Sequence, residues 1–220
     1  PQHFGVAELN GDGSIKQLIE KPEHPSSDLA LVGIYMFDSS VFEAVHAIQP
    51  SARGELEITD AIQWLLTRGY GVHAYVHRGW GIDTGKPLDM LSANDHVLDE
   101  MTPEMHNTAT IDDSSTVGHR VTVQAGAQIT NSTVRGPSII GKNTIIENAY
   151  VGPYTSIYHD CQIKNCEIEH SMVLEGSQIN SVQTRIVDSM IGRNATLGYT
   201  VSKPKALKMI LGDHSHFWLP

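Results

Sequence analysis

Few side chains in this 220-residue sequence could do chemistry, and they are scattered. Glu20-Lys21 sets a hydrogen-bond acceptor beside a cation just before Pro22; alone, the pair reads as a solvated turn. Arg53 opens Arg53-Gly54-Glu55-Leu56-Glu57-Ile58-Thr59-Asp60 and could grip an anion through two parallel hydrogen bonds, or be an ordinary loop charge. Asp83, within Gly79-Trp80-Gly81-Ile82-Asp83-Thr84-Gly85, could cap the helix that Pro87 introduces. Gly5 could mark a strand bulge. Cys161 and Cys166 could be a redox pair or metal ligands. The 12 histidines are dispersed and show no metal spacing. Gly11-Asp12-Gly13 sits in a turn cluster, and Gly79-Trp80-Gly81 has no basic motif after it. Neither is the strand–loop–helix junction that presents backbone N–H groups to phosphates.

Two patterns indicate what positions such groups. In the second half, one aliphatic residue recurs about every six positions: Ile111, Val117, Val123, Ile129, Val134, Ile140, Ile146, Val151, Ile157, Ile163, Ile168, Val173, Ile179, Ile186, Ile191, Leu197. Two places before each stands Ala, Ser, Thr, Cys or Val, from Ala109 to Ala195. A spacing of two puts both residues on one face of a strand, and a recurrence near six is a short strand plus a turn. Three units make a coil of 16 to 18 residues, so the segment is expected to form about five coils of a parallel β-helix. Both cysteines fill small slots of the repeat, which accounts for them as buried, inert thiols. The pattern resembles the hexapeptide repeat, whose proteins form left-handed triangular prisms. That hand comes from the resemblance, since the general crossover rule favours the opposite one.

The first hundred residues mix the two periods. Residues 4–9 and 15–19 read as a hairpin around Asn10-Gly11-Asp12-Gly13, and residues 29–37 as a short buried strand. Asp38-Ser39-Ser40 introduces a helix that stops at Pro50; a second helix carries Ile58, Ile62, Leu65 and Leu66 and ends at Gly69. Residues 72–76 read as another strand, and Thr84 and Pro87 open a third helix. The expectation is therefore an α/β domain over residues 1–105 and a β-helix domain over residues 106–220. The net charge is −10 with only 15 lysines and arginines, which argues against nucleic-acid and anionic-membrane partners. The apolar runs fall far short of the roughly twenty residues of a membrane span. Two cysteines without disulfide logic fit a cytoplasmic protein.

Phe4-Gly5-Val6, Glu20-Lys21-Pro22, Val32-Gly33-Ile34-Tyr35, the Arg53 to Asp60 run and Trp80 to Gly85 occur in the order and spacing of the sugar-phosphate nucleotidyltransferases. The chain resembles members of that family with a C-terminal left-handed β-helix, and most of all those that use dTTP and glucose 1-phosphate. The resemblance implies transfer of a nucleotidyl group from a nucleoside triphosphate to a sugar 1-phosphate, with release of pyrophosphate. It assigns Gly5 to a backbone approach to the sugar, Glu20 to sugar hydroxyls, Lys21 and Arg53 to the sugar phosphate, and Val32 to the wall of the sugar pocket. Asp83 becomes one of two carboxylates on Mg²⁺. No catalytic residue is assigned, and a homo-oligomer is expected.

The family's glycine-rich nucleotide loop and its second metal-binding Asp have no counterpart in this sequence. Since the sequence opens at Pro1 inside a strand pattern, the expectation is a piece of a longer protein that holds the sugar half of the site and is inactive alone. Two other readings remain. The prism could serve assembly or regulation, or it could transfer acyl groups with His119, His159 or His170 as base.

Overall fold

In the computed structural model, which describes residues 1–199 and 216, contacts divide the chain into Pro1–Gly81 and Ile82–Pro220. Each unit has its own core.

In the first unit, β1 (Gly5–Leu9) and β2 (Ile15–Glu20) form an antiparallel hairpin. Gly13, at a φ of +84°, closes the turn, where Asn10 N–H donates to Ser14 O. Two helices follow, α1 (Ser40–Ala47) and α2 (Ile58–Thr67). Asp38 accepts from the Ser40 N–H at the start of α1, as the turn residues before it predict. Ala7, Ile15, Leu18 and Ile62 make one small core; Ala44, Ala61 and Leu65 make another. The Gln63 side chain accepts from Leu18 N–H at 2.7 Å and fastens α2 to the hairpin.

Two expected strands do not form. Within residues 29–37 only the start pairs: Ala7 N–H donates to Leu29 O and Leu31 N–H to Gly5 O, and Ala30 bridges Val6. Beyond Leu31 the segment has no ladder, and Ile34 and Met36 are 82% and 97% exposed. Residues 72–76 also run without a ladder. An apolar run becomes a strand only where a neighbouring strand takes its N–H and C=O groups, and composition cannot reveal that neighbour.

The second unit opens with α3 (Pro87–Glu100) and continues as a β-solenoid. Among the described residues, fifteen short strands form three parallel sheets of four, five and six. The six-stranded ladder stacks Ile111, Ile129, Ile146, Ile163, Ile179 and Leu197 in register. The five-stranded one stacks Val123, Ile140, Ile157, Val173 and Ile191. In the four-stranded sheet Val117, Val134, Val151 and Ile168 stack, and Ile186 bridges Ile168. All sixteen aliphatic positions of the repeat thus lie in ladders. Those of the middle coils, such as Ile140, Ile146 and Ile163, have no exposed surface.

The small slots face inward as well, and their hydroxyls are satisfied by backbone. Ser171 Oγ donates to Glu169 O and accepts from Ser189 N–H; Thr144 Oγ1 donates to Tyr158 O and accepts from Cys161 N–H. Cys161 Sγ uses the carbonyl of Leu174 in the same way. Both cysteines are buried and unpaired, so the core-thiol expectation holds.

A third feature has no counterpart in the aliphatic period. Asn131, Asn148 and Asn165 turn corners with φ of 45°, 48° and 50°, a left-handed region that Asn tolerates better than most residues. Their side-chain amides form a ladder that runs on to Asn180, with N···O distances of 3.1, 2.8 and 3.2 Å.

Helix α3 belongs with the solenoid by contacts, which places the division earlier than the composition boundary at residues 102–107. Asn94 is nearly buried; its amide donates to Tyr154 O, and its carbonyl accepts from Ser156 Oγ. His170 sits between Asp95 and Asp188, and Arg120 and Tyr154 both reach Asp99.

Candidate functional site

Four of the six residues singled out in the sequence converge in the first unit. Gly5 begins β1, Glu20 ends β2, Lys21 follows, and Arg53 lies in the loop before α2. Antiparallel pairing sets Gly5 directly opposite Glu20, distant in sequence but adjacent across the hairpin.

 The Lys21 N–H donates to Phe4 O, and Lys21 itself has a φ of 42°, a left-handed conformation that is costly for a residue before proline. That strained corner aims the ammonium group back over the hairpin end, 3.9 Å from Glu20 Oε1.

Arg53 collects carboxylates. Its Nη1 lies 3.4 Å from Glu57 Oε1 and 3.7 Å from Glu20 Oε1, and its Nη2 donates to Glu55 Oε2 at 2.5 Å. Glu57 is almost buried and also accepts from Ser51 Oγ. Glu20 Oε2 faces the other way and accepts from Thr59 Oγ1 at 2.6 Å. Burial, with Glu57 and then Glu20 nearby, pushes the Asp60 carboxyl up; burial and the Glu20 charge push the Tyr35 hydroxyl up. The cluster therefore sets two cations among acidic groups. A dianionic phosphate arriving there could displace Glu55, the most exposed of Arg53's three partners.

Gly5 is no bulge. A Cβ there would stand 2.7 Å from both Thr59 Oγ1 and Leu31 Cδ1, and 3.0 Å from Glu20 Oε2. Val32 is 58% exposed, just before Gly33 at a φ of +73°. Asp83 falls in the second unit, exposed and outside any helix or strand; its Oδ1 accepts from Gly85 N–H, and α3 has no side-chain cap. Its other oxygen fits one position of a hard-cation shell. Among the described residues no group of three or more His, Cys, Asp or Glu side chains could hold a metal ion.

Thr59, Glu57 and Tyr35 are the site residues that sequence reasoning passed over. All three stand inside the quoted motifs, and the signal was the position of Glu57 and Thr59 around the start of α2, near enough to Arg53 to share its surroundings.

The histidines differ sharply. His170 has both ring nitrogens engaged, by Asp188 at 2.5 Å and Asp95 at 2.9 Å, and these bonds raise its pKa. His159 pairs with Asp160, which also accepts from Asn143, and His119 is exposed. A solenoid groove of about 450 Å³, lined by residues that include Asn131, Asn148, Tyr150 and Gln183, contains none of the three.

Comparison with known proteins adds a separate line of support. Residues 1–100 match the family model described as nucleotidyl transferase. The chain is 47% identical over 215 residues to a glucose-1-phosphate thymidylyltransferase of Streptomyces griseus, an alignment covering 98% of this chain and 60% of that protein. It is 41% identical over 222 residues to a low-salt glycan biosynthesis nucleotidyltransferase of Haloferax volcanii, covering 100% of this chain and 61% of that one. A bifunctional sugar-1-phosphate nucleotidylyltransferase/acetyltransferase of Sulfurisphaera tokodaii is 33% identical over 201 residues, covering 90% of this chain and 49% of that protein. The chain thus spans about 60% of the length of the first of these relatives. Its architecture is a nucleotidyl transferase region followed by a parallel β-solenoid.

Proposed function

We propose that this nucleotidyl transferase chain supplies the sugar-phosphate side of a reaction joining dTTP to glucose 1-phosphate, with release of pyrophosphate. The observation that carries the reading is the convergence of Glu20, Lys21 and Arg53 at one end of the hairpin. A sugar 1-phosphate needs this pair of functions: hydrogen-bond acceptors for hydroxyls and cations for the phosphate. The thymidylyltransferase named among the relatives supports the choice of nucleotide and sugar.

In this reading the Arg53 guanidinium exchanges its Glu55 contact for the phosphate and keeps Glu57 as its anchor. Lys21 adds a point charge from its fixed corner, and Glu20 Oε1 accepts from a sugar hydroxyl. The bound phosphate oxygen then attacks the α-phosphorus as the bond to pyrophosphate breaks, so positioning and charge neutralisation supply most of the rate. Mg²⁺ would spread the charge of the transferring phosphoryl group, with Asp83 as one carboxylate ligand. Val32 would line the sugar pocket. The chain on its own is proposed not to turn over, because neither Gly-x-Gly segment joins a strand to a helix. A homo-oligomer in the cytoplasm completes the proposal; no helix among the described residues is long and apolar enough to cross a membrane.

The test is kinetic, with the protein expressed from its whole reading frame and pyrophosphate release as readout. Arg53→Ala and Lys21→Ala are expected to raise the KM for glucose 1-phosphate by about tenfold to a hundredfold and to leave the KM for dTTP unchanged. Asp83→Asn is expected to abolish Mg²⁺-dependent turnover. Normal kinetics in all three variants would overturn the assignment.

A further inference from the structure

We propose that Thr59 is a positioning residue for the Glu20 carboxylate, holding it so that one oxygen faces the substrate and neither collapses onto Arg53. The inference rests on the reading of Glu20 as the carboxylate that meets the sugar. Thr59 is the second residue of α2 and only 1% exposed. Thr59 stands in the first turn of α2, where no preceding helical turn offers a carbonyl to its hydroxyl. Here the hydroxyl proton goes instead to Glu20 Oε2 at 2.6 Å, thirty-nine residues away in sequence. A hydroxyl has one proton to give, so this bond commits it.

The consequence lies in how Glu20 divides its oxygens. Oε2 is held by Thr59, whereas Oε1 lies 3.9 Å from Lys21 and 3.7 Å from Arg53, beyond direct hydrogen-bond range. Guanidinium and carboxylate planes favour two parallel bonds when nothing prevents it. Such a bidentate pair would occupy both the sugar acceptor and the phosphate cation at once. The Thr59 bond opposes that rotation, and Gly5 closes the remaining space. A Cβ at Gly5 would collide with Thr59 Oγ1 and Leu31 Cδ1 and press on Glu20 Oε2. Gly5, Glu20 and Thr59 therefore form one packed unit in which the absence of a side chain, a hydroxyl and a carboxylate fix each other.

The experiment uses the protein from its whole reading frame and compares Thr59→Val, which keeps the shape and loses the hydroxyl, with Thr59→Ser, which keeps the hydroxyl. Glu20→Gln serves as reference. Thr59→Val is expected to raise the KM for glucose 1-phosphate about tenfold, with kcat and the KM for dTTP within about twofold of the parent. Thr59→Ser is expected to restore the parental KM. If Thr59→Val does not fold, Thr59→Cys takes its place with the same expectation, since a thiol is a weak donor. Equal impairment by serine and by the hydroxyl-free variant would make Thr59 a packing residue and overturn the proposal. So would an unchanged KM in Thr59→Val when Glu20→Gln is impaired. An unchanged KM in Glu20→Gln would instead remove the reading on which the proposal rests, and the proposal with it.

Discussion

The solenoid and the hairpin unit are built by opposite means. In the solenoid each inward residue stacks on its equivalent one coil away, so a period of six in the sequence becomes a ladder in space. In Pro1–Gly81 the contacts that matter join distant segments: Gly5 to Glu20, Glu20 to Thr59, Arg53 to Glu20. Regularity makes the solenoid stable and legible. Irregularity lets the first unit hold two cations and several carboxylates around one point, which a repeating lattice of Ile, Val and Ser does not do.

The largest effect that separates the two regions is expected from a buried charge. Ile157→Asp would place a carboxylate without a partner where the side chain is 1% exposed, and should destabilise the solenoid by about 4–5 kcal/mol or more. Gln162→Asp, on the outward face, should stay within about 0.5 kcal/mol, as should Met36→Asp in the open segment of the first unit. Chemical denaturation of the three variants checks this. Similar losses for Ile157→Asp and Met36→Asp would erase the contrast.

The same contrast explains what could be read from sequence. Ile111 to Leu197 could be assigned to one face because a period alone decides it. The Asn131 to Asn180 ladder was missed because it depends on corner conformation, which the aliphatic spacing does not encode. Residues 29–37 and 72–76 were expected as strands because they are apolar, but a strand needs a partner and only residues 29–31 find one. At the site, Glu20, Lys21 and Arg53 were named from motifs, whereas Thr59 and Glu57 emerged only when α2 brought them beside Glu20 and Arg53.

Next in size is a difference in thiol chemistry confined to the solenoid. Burial raises both cysteines, Cys166 to about 11, so near pH 8 about one thiol in a thousand at that position is ionised. Neither cysteine should react with an aromatic disulfide reagent in the native protein, and both should react on unfolding. Prompt labelling of the native state would contradict the inward assignment.

A smaller effect concerns pH. Hydrogen bonds to Asp188 and then Asp95 raise the pKa of His170 above its unfolded value of about 6.5. Its stabilising contribution is therefore fully present below about pH 6.5 and is lost as pH rises through the raised folded value. A neutral ring keeps one N–H, so one of the two aspartates then loses its donor. The melting temperature of the second unit should fall modestly over that rise, and His170→Gln should flatten the slope. An identical slope in the variant would show that other groups set it.

The most direct test of the account follows backbone amide resonances of this chain while glucose 1-phosphate is added. With sugar-phosphate recognition proposed for the hairpin unit, shifts should cluster at Gly5, Glu20, Lys21 and Arg53 and be lost in Arg53→Ala, with residues 110–198 unmoved. Shifts centred on the solenoid, for example around His159 and Asn143, or shifts that persist in Arg53→Ala, would contradict it.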